Sequence, residues 1–402
     1  STLQQEAYRK LRFTARRTMA VAQQLYEGIS IGDEQTGLIT YMRTDSTNVA
    51  AQALTEASEY ITKKYGPEYA PDKPRLYTKR VKGAQEAHEA IRPTSIMRDP
   101  QSIRQHLSNE QARLYDLIWK RLVASQMNDA IFDSTSVRIG ANGKAAEYEF
   151  RVNGSVLKFP GFRALYMEDK DDAANGDDDV ADTMPYLEKG EQLDLLKLTP
   201  QQHFTQPPPR FTEASLVKKL EEEGIGRPST YAPTLSTLMD RDYVLKDQGR
   251  FTPTKLGTAV TGLLTQHFPD IMDVGFTARI ESDLDDIAEG EKKWTPVLEK
   301  FYGPFGEAID KAMKEAERIP RDQIDEETDE ICPDCGRPMV IKSGRFGRFL
   351  SCSGFPDCKV SQPLLQRVGV ECPDCGSDLV QRRARKGSKG RNKIFYGCSN
   401  YP

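Results

Sequence analysis

Apolar residues recur at helical spacing through much of the first third of the chain. They repeat every three or four residues in TARRTMAVAQQLYEG, where Gly28 is the expected stop of the helix, and in NEQARLYDLIWKRLVASQM, at residues 109–127. The stretch STNVAAQALTEASEYITKKYG has the same period, with Ser46 or Thr47 as its expected N-cap. The pattern predicts a mainly helical domain over residues 1–128.

The period changes to that of strands near residue 129. TSVRIG, AAEYEFRVNGSVLKF and QLDLLKLTPQQHF alternate polar and apolar residues, so residues 129–200 are predicted to be β-rich. Within them, EDKDDAANGDDDVAD at residues 168–182 is too acidic to bury and is expected to be a surface loop. Calcium binding is the alternative for this stretch, but the ligand spacing of a calcium loop is missing.

Helical patterning returns at FTEASLVKKLEEEGIGRPSTYAPT. Thr212 and Ser215 have the spacing of a helix start, and Gly224 is a stop signal. The pattern predicts a helical segment over residues 201–318, followed by a charged linker at residues 319–331.

The charge of the chain is unevenly distributed. The net charge is -4, but residues 332–402 contain 13 Lys and Arg against 5 Asp and Glu, a local net of +8. A basic end of this kind is typical of phosphate-binding proteins. No apolar run approaches the ~18 residues that span a bilayer, so no membrane partner is expected. The chain lacks an initiator methionine and a secretory signal, so we expect that it begins inside a longer protein or follows a processing event.

All seven cysteines lie in the basic end, in two repeated clusters. Cys332, Cys335, Cys352 and Cys358 have the spacing of two metal-binding knuckles, which predicts a zinc ribbon over residues 332–362. A second ribbon is predicted over residues 368–402, where CPDCG and CSNYP echo the CPDCG and CSGFP of the first. Its three cysteines are Cys372, Cys375 and Cys398. The repeat stops before its fourth expected ligand, and disulfides are the alternative reading of the cysteines.

The stretch GLITYMRTDSTN, at residues 37–48, is the strongest candidate for chemistry. A tyrosine that attacks phosphorus conserves the energy of the phosphodiester bond, and a neighbouring guanidinium stabilises the charge on the phosphate. Tyr41 and Arg43 are two residues apart, so they would share one face of a strand, with Thr44 and Asp45 supplying polar groups nearby. The alternative is that Tyr41 is an ordinary packed strand residue.

Three further segments could contact nucleic acid. His88 in QEAHEAIRPT is expected on a helix, where most histidines have no catalytic role. GIGRPST could cradle a phosphate at a helix N-terminus through Arg227, Ser229 and Thr230, although a glycine C-cap followed by a proline turn has the same pattern. The carboxylates of ESDLDDIAEGE are expected to be a solvated helix face. Each cysteine module also mixes aromatic and basic residues that could hold single strands, namely Phe346 and Arg348, then Phe395 and Tyr396.

Together, GLITYMRTDSTN, QEAHEAIRP, FTEASLVKKLEEEGIGRPSTYAPT and the paired cysteine modules resemble bacterial topoisomerase I, a type IA DNA topoisomerase. The resemblance covers essentially the whole chain. It implies a multidomain α+β fold, in which part of the toroidal core, with helical domains and a β arch, is followed by C-terminal zinc ribbons. It also implies that Tyr41 forms a 5'-phosphotyrosyl link, that Arg43 positions the scissile phosphate, and that His88, Arg227, Ser229 and Thr230 contact DNA.

The family also carries a Toprim domain with a D-x-D-x-E metal site, and this motif does not occur in the chain; DLDD at residues 283–286 has a different context. The resemblance therefore implies structural Zn2+ in the ribbons and Mg2+ at a site outside this chain. It implies a monomeric, cytoplasmic, nucleoid-associated protein that relaxes negatively supercoiled DNA without ATP, with single-stranded or supercoiled DNA as partner and an RNA polymerase contact through the ribbons. The alternatives are a zinc-ribbon DNA-binding module without independent activity, and a topoisomerase III or reverse gyrase, which the tandem cysteine modules disfavour.

Overall fold

The computed structural model describes residues 1–32, 34–77, 88–143, 146–168, 187–344, 347–364, 366–383 and 394–400. The predicted acidic loop lies outside these residues except at its first position, Glu168. The chain divides into two compact units. The first comprises Ser1–Arg241, Leu245–Thr252 and Phe268–Gly306, and the second comprises Asp242–Val244, Pro253–His267 and Glu307–Pro402.

The predicted helices of the first third are present and share one core. Their bounds, with those of a short antiparallel hairpin, are α1 Thr2–Glu6, continued by a π-helical turn at Ala7–Leu11, α2 Ala15–Glu27, β1 Ile29–Ile31, β2 Glu34–Thr36, α3 Ala51–Lys64 and α4 Asn109–Ser125. Tyr115 and Trp119 of α4 are buried in this core. Their polar atoms donate to the carbonyls of Arg98 at 2.8 Å and Ile96 at 2.9 Å, which satisfies the groups that burial would otherwise leave unpaired.

The N-terminal ends of α3 and α4 are capped in different ways. Ser108 and Gln111 form a reciprocal capping box at the start of α4. The expected caps of α3, Ser46 and Thr47, are wrong, because the helix starts after Ala50 and that N-cap residue has no capping side chain of its own.

The alternating stretches form one long hairpin. Strands β3 (Ile131–Asn142) and β4 (Glu147–Phe159) pair antiparallel along their length, as predicted, and most of their side chains are exposed. The prediction of a strand at QLDLLKLTPQQHF is wrong, since residues 192–204 form no helix or strand. Leu195 and Leu196 there are 78% and 95% exposed. An alternating segment without a hydrogen-bonding neighbour gains too little to form a strand alone.

Helices dominate the segment that follows. The bounds are α5 Glu213–Glu222, α6 Tyr231–Asp240, β5 Val244–Asp247, β6 Arg250–Pro253, α7 Lys255–His267, α8 Pro269–Met272, α9 Val274–Ala288, α10 Trp294–Glu315 and α11 Arg321–Ile324. The predicted start of α5 is confirmed, because Thr212 and Ser215 form a capping box. None of the described helices is long and apolar enough to cross a membrane.

Each cysteine cluster is carried by a small antiparallel sheet. The first sheet has the order β10-β9-β8-β7, with bounds β7 Glu326–Ile331, β8 Pro338–Gly344, β9 Gly347–Cys352 and β10 Ser361–Pro363. The second has the order β11-β12-β13, with bounds β11 Gln366–Glu371, β12 Asp378–Arg383 and β13 Ile394–Cys398. The range 319–331 thus differs from the predicted linker, since it holds α11 and edge strand β7.

Candidate active site and cysteine centres

A short backbone pairing places Tyr41 at the surface. Ile39 forms an antiparallel bridge with Pro93, and the Thr40 N–H donates to the Arg92 carbonyl at 2.9 Å. The Arg92 N–H donates in turn to the Thr40 hydroxyl, also at 2.9 Å. The predicted strand is reduced to this one bridge, and Tyr41 lies immediately beyond it.

The four residues from Tyr41 alternate between solvent and core. Tyr41 is 40% exposed and Arg43 is exposed, whereas Met42 and Thr44 are 2% and 6% exposed. Burial of the two intervening side chains anchors the segment, so Tyr41 and Arg43 both face solvent as the two-residue spacing indicated. The phenol and the guanidinium are therefore both accessible to a phosphodiester.

Two aromatic side chains contact Tyr41. The Tyr26 ring centroid lies 5.3 Å from that of Tyr41 and the His88 ring centroid lies 6.1 Å from it, both at an interplanar angle of 64°. The structure corrects the setting of His88, which lies in irregular backbone rather than on a helix. The His88 ring lies beside the candidate nucleophile, and its contact with DNA stays a prediction. The sequence reasoning did not find Tyr26.

A carboxylate and a guanidinium hold the His88 segment against α3. Glu89 accepts from the Arg92 Nε at 2.6 Å and from the Ala50 N–H at 2.6 Å. Burial disfavours the Glu89 carboxylate, but the hydrogen bonds from Arg92 and Ala50 outweigh it and lower the pKa of Glu89. Glu89 thus accepts the N–H of Ala50, the N-cap residue of α3, which has no capping side chain of its own. The same bond fixes Glu89, which is the residue next to His88.

Asp45 connects the Tyr41 segment electrostatically to the helix that follows GIGRPST. Burial raises the pKa of Tyr231 to about 12, with the carboxylates of Glu221 and Asp45 acting in the same direction. Thr44 lies buried beside Asp45 and accepts from the Ser46 N–H at 3.0 Å. Thr44 and Asp45 also line a cavity of about 710 Å³.

Arg227 is held by carboxylates of α9. Its Nη2 lies 2.7 Å from an Asp285 oxygen and its Nε lies 3.6 Å from a Glu281 oxygen. The expectation that the acidic stretch of α9 is simply solvated is therefore wrong at these two positions. The four-residue spacing of the two carboxylates on a helix indicated that they share one face, but the arginine that they contact is more than fifty residues away in the chain.

Ser229 and Thr230 are exposed beside Arg227. The Thr230 hydroxyl accepts from the Arg227 N–H at 2.9 Å and donates to the Arg227 carbonyl at 3.1 Å. It thus closes the turn into α6. The turn is also tied to α1, since the Gln4 side chain donates to the Pro228 carbonyl at 3.0 Å.

The four cysteines of the first module converge as one metal-binding group. Their sulfur atoms all lie within 4.8 Å of one another, with 3.6 Å between Cys332 and Cys358 and 3.3 Å between Cys335 and Cys352. Tetrahedral zinc with Zn–S bonds of ~2.3 Å would separate its sulfurs by ~3.8 Å, so the donor set fits Zn2+. Burial opposes ionisation of Cys332, but backbone hydrogen bonds at Cys335 and Asp334 prevail and lower its pKa to about 7, whereas burial raises the pKa of Cys352 to about 12. Zinc binds the thiolate form.

The second module repeats this backbone closely. Cys332 and Cys372 each accept from the glycine four residues on, at 3.0 and 2.9 Å. Both glycines, Gly336 and Gly376, have positive φ, of 74° and 70°, which L side chains rarely adopt. The sulfurs of Cys372, Cys375 and Cys398 also lie within 4.8 Å of one another.

Comparison with known proteins identifies the family. Residues 1–299 match the family described as DNA topoisomerase. This chain belongs to that family. Residues 329–367 and 369–402 of the chain match the family described as topoisomerase DNA binding C4 zinc finger. Full-length topoisomerase I from Thermotoga maritima is 36% identical and matches with a TM-score of 0.66, covering 90% of this chain and 56% of that one. The chain therefore spans a little over half the length of that structure.

The family match fits the mixed helical and sheet architecture and the zinc-binding cysteines. Within the described part of the chain, the groups of three or more potential metal ligands consist of cysteines. Such thiolate sets suit Zn2+ rather than Mg2+, which prefers oxygen ligands and which the resemblance implies at a site outside this chain.

The aromatic and basic residues of the zinc modules have different surroundings. Phe346 lies outside the described residues. Arg348 forms an ion pair with Glu326 of β7. Phe395 and Tyr396 of the second module are 47% and 60% exposed. The exposed rings of the second module therefore have the accessibility that base stacking requires, while Arg348 already has a carboxylate partner.

Proposed function

We propose that this chain supplies the nucleophile of a type IA DNA topoisomerase, which relaxes negatively supercoiled DNA without ATP. The observation that carries the proposal is the exposed Tyr41, which shares its solvent face with Arg43 and contacts His88. Membership of the topoisomerase family supports it.

In the proposed reaction the Tyr41 phenol oxygen attacks a backbone phosphorus of single-stranded DNA. The bond from phosphorus to the 3' oxygen breaks, the phenol loses its proton, and the departing 3' oxygen gains one. The product is a 5'-phosphotyrosyl link and a free 3' hydroxyl. The reverse attack by that hydroxyl reseals the strand after another strand has passed, and one ester replaces another at each step, so no ATP is needed.

Arg43 is assigned to the nonbridging oxygens of the phosphate that Tyr41 attacks. A guanidinium presents several donors in a fixed plane and stays charged, so it stabilises the developing charge without moving a proton. His88 is assigned to the DNA beside this phosphate, and the Glu89 contacts described above keep its backbone in place.

The proposed DNA path continues past Asp45 to the GIGRPST turn, whereas Thr44, expected to contact DNA, is buried and bonds the backbone of its own segment. Ser229 and Thr230 are exposed there and offer hydroxyl groups, and Arg227 offers a cation. In the zinc modules, Phe395 and Tyr396 are assigned to base stacking and Arg348 to the phosphate backbone. Bound zinc would act structurally, by joining the ends of the strands that carry these side chains.

The finer properties of the whole protein are also proposals. We expect a monomer that works in the cytoplasm at the nucleoid, with Mg2+ bound by the Toprim part of the family and an RNA polymerase contact through the zinc modules. Sedimentation of the purified chain tests the monomer. Pull-down of RNA polymerase with and without residues 332–402 tests that contact.

A trapping experiment tests the catalytic assignment. The chain is mixed with a separately purified Toprim domain, Mg2+ and single-stranded DNA labelled at its 3' end, and the protein is denatured and examined for label. We expect a covalent adduct from the wild type and none from Tyr41→Phe. Tyr302→Phe is the matched control, because Tyr302 is a 69% exposed tyrosine of α10. A covalent adduct formed by the Tyr41→Phe variant would refute the assignment of Tyr41 as the nucleophile.

A DNA-binding chain without independent catalysis is the second candidate. The paired cysteine modules favour it, as does the absence of a carboxylate metal cluster among the described residues. It predicts single-strand binding that depends on the zinc modules and no adduct from any variant, whatever protein is added.

A further inference from the structure

Tyr26 is an exposed tyrosine whose ring contacts the candidate nucleophile. It lies in the last turn of α2 and is 41% exposed, while the preceding residue, Leu25, is completely buried in the core. The Tyr26 and Tyr41 rings meet edge to face at 5.3 Å. The core therefore does not require an aromatic ring at position 26, and its described ring contact is with Tyr41.

The backbone fixes this contact. The Leu38 N–H donates to the Leu25 carbonyl at 2.8 Å, which ties the Tyr41 segment to the end of α2. Gly37 makes the approach possible, since a Cβ at that position would lie 2.9 Å from the Tyr26 carbonyl oxygen. Real Cβ atoms essentially never come so close to a backbone oxygen, so a side chain at position 37 would push the two segments apart.

The Tyr41 ring consequently contacts two other rings. Tyr26 approaches from α2, and His88 approaches from the segment that pairs with residues 38–40, both at 64° to the Tyr41 ring. Edge-to-face contacts are directional, so two of them restrict the tilt and rotation of the ring that makes them. A nucleophile gains rate when its attacking atom is held near the line of attack.

We propose that Tyr26 is a positioning residue for Tyr41. Its ring, rather than its hydroxyl, limits the orientations of the Tyr41 phenol and so raises the fraction of molecules aimed at the phosphorus. The proposal rests on the proposed function, since it assigns Tyr26 a role in the same transesterification. It predicts that the ring at position 26 affects the rate of cleavage and not the affinity for DNA.

The test compares Tyr26→Phe, Tyr26→Leu and Tyr26→Ala in the trapping assay described above. The cleavage rate at saturating DNA and the dissociation constant for the same oligonucleotide are measured for each. We expect Tyr26→Phe to match the wild type, because it keeps the ring. Tyr26→Leu and Tyr26→Ala should cleave about 3- to 10-fold more slowly, the range that corresponds to loss of one aromatic pair. Their DNA affinity should change less than about twofold. Tyr302→Ala, at an exposed tyrosine of α10, controls for loss of a surface ring.

Each outcome separates the two proposals. If the wild type forms no adduct, the proposed function fails before Tyr26 is examined. If the wild type forms an adduct and Tyr26→Ala cleaves at the same rate, the positioning role is wrong while the function stands. Equal losses in Tyr26→Phe and Tyr26→Ala would assign the effect to the hydroxyl and overturn a ring contact. A loss confined to affinity would make Tyr26 a DNA contact instead. Thermal unfolding of each variant shows whether a slow variant is folded.

Discussion

Neutralising Asp285 is expected to strengthen the binding of single-stranded DNA. In the structure Asp285 lies 2.7 Å from Arg227, the cation assigned to a phosphate contact, and both side chains are about 30% exposed. A phosphate that binds Arg227 must compete with this carboxylate. In Asp285→Asn the nearer of the two competing carboxylates is neutralised, which leaves only Glu281 at 3.6 Å, so Arg227 pairs more readily with DNA.

The expected size follows from the exposure of the pair. Partly exposed ion pairs contribute at most about 1 kcal/mol, so removing the competition should raise affinity by up to about fivefold. One additional phosphate contact should also steepen the salt dependence by about 0.7 in the slope of log K against log salt. Over a fourfold rise in salt, that slope corresponds to about a 2.6-fold larger loss of affinity.

Helix α9 offers a matched control for charge alone. Asp283 lies on the same helix and forms a comparable 2.7 Å ion pair, but with Lys292, which has no assigned DNA contact. Fluorescence anisotropy with a labelled oligonucleotide is measured at several salt concentrations for Asp285→Asn and Asp283→Asn. Equal gains in both variants would attribute the effect to net charge and refute the competition. Weaker binding in Asp285→Asn would mean that the carboxylate positions Arg227 instead. The gain should disappear when Arg227→Ala is added to Asp285→Asn.

Three other measurements examine the remaining assignments. Arg43→Ala should slow cleavage or resealing in the trapping assay far more than it weakens DNA affinity, because one arginine supplies little of a multi-phosphate contact set; equal losses in both would contradict its role. Elemental analysis should find close to one tightly bound zinc per chain and a more weakly bound second, with Cys352→Ser removing the tight one; a wild type without zinc after gentle purification would refute the ribbon. Glu89→Gln should lower the free energy of unfolding at pH 7 by about 1.5–3 kcal/mol, the range for hydrogen bonds to a charged group. Since the pKa of Glu89 is lowered in the folded state, the difference from wild type in urea unfolding should be complete above its ordinary value near 4.5 and shrink as pH falls through the folded value; a difference that does not depend on pH would contradict this.

Local patterns predicted elements well where the interactions that form them are local. The capping boxes at Ser108 and Thr212 connect residues three apart, and the hairpin of β3 and β4 pairs stretches that are adjacent in the chain. The cysteine modules were predicted for the same reason, because ligand spacing within a knuckle is fixed over a few residues. The prediction of a strand at QLDLLKLTPQQHF was wrong. An alternating segment becomes a strand only when another strand pairs with it, and the sequence does not show which segment that would be.

The candidate site depended on contacts between distant segments. Tyr41, Arg43 and their shared face followed from the two-residue period. Tyr26 could not be found in this way, because its contact with Tyr41 depends on a turn that brings α2 back against residues 37–41. The partners of Arg227 escaped for a similar reason, since α9 meets the GIGRPST turn only after the chain has folded.

The sequence by itself determined the candidate chemistry of this chain: a tyrosine two residues from an arginine, a turn proposed to bind phosphate, and cysteines at the spacing of zinc ligands. Those features depend on residue type and on the spacing between residues close together in the chain, so the sequence alone reveals them. Only the tertiary structure decided how Tyr41 is presented, with Met42 and Thr44 buried and with the rings of Tyr26 and His88 in contact with its own. Burial and ring contacts arise from packing between segments far apart in the chain. The spacing of residues within one segment does not show which other segment it will pack against.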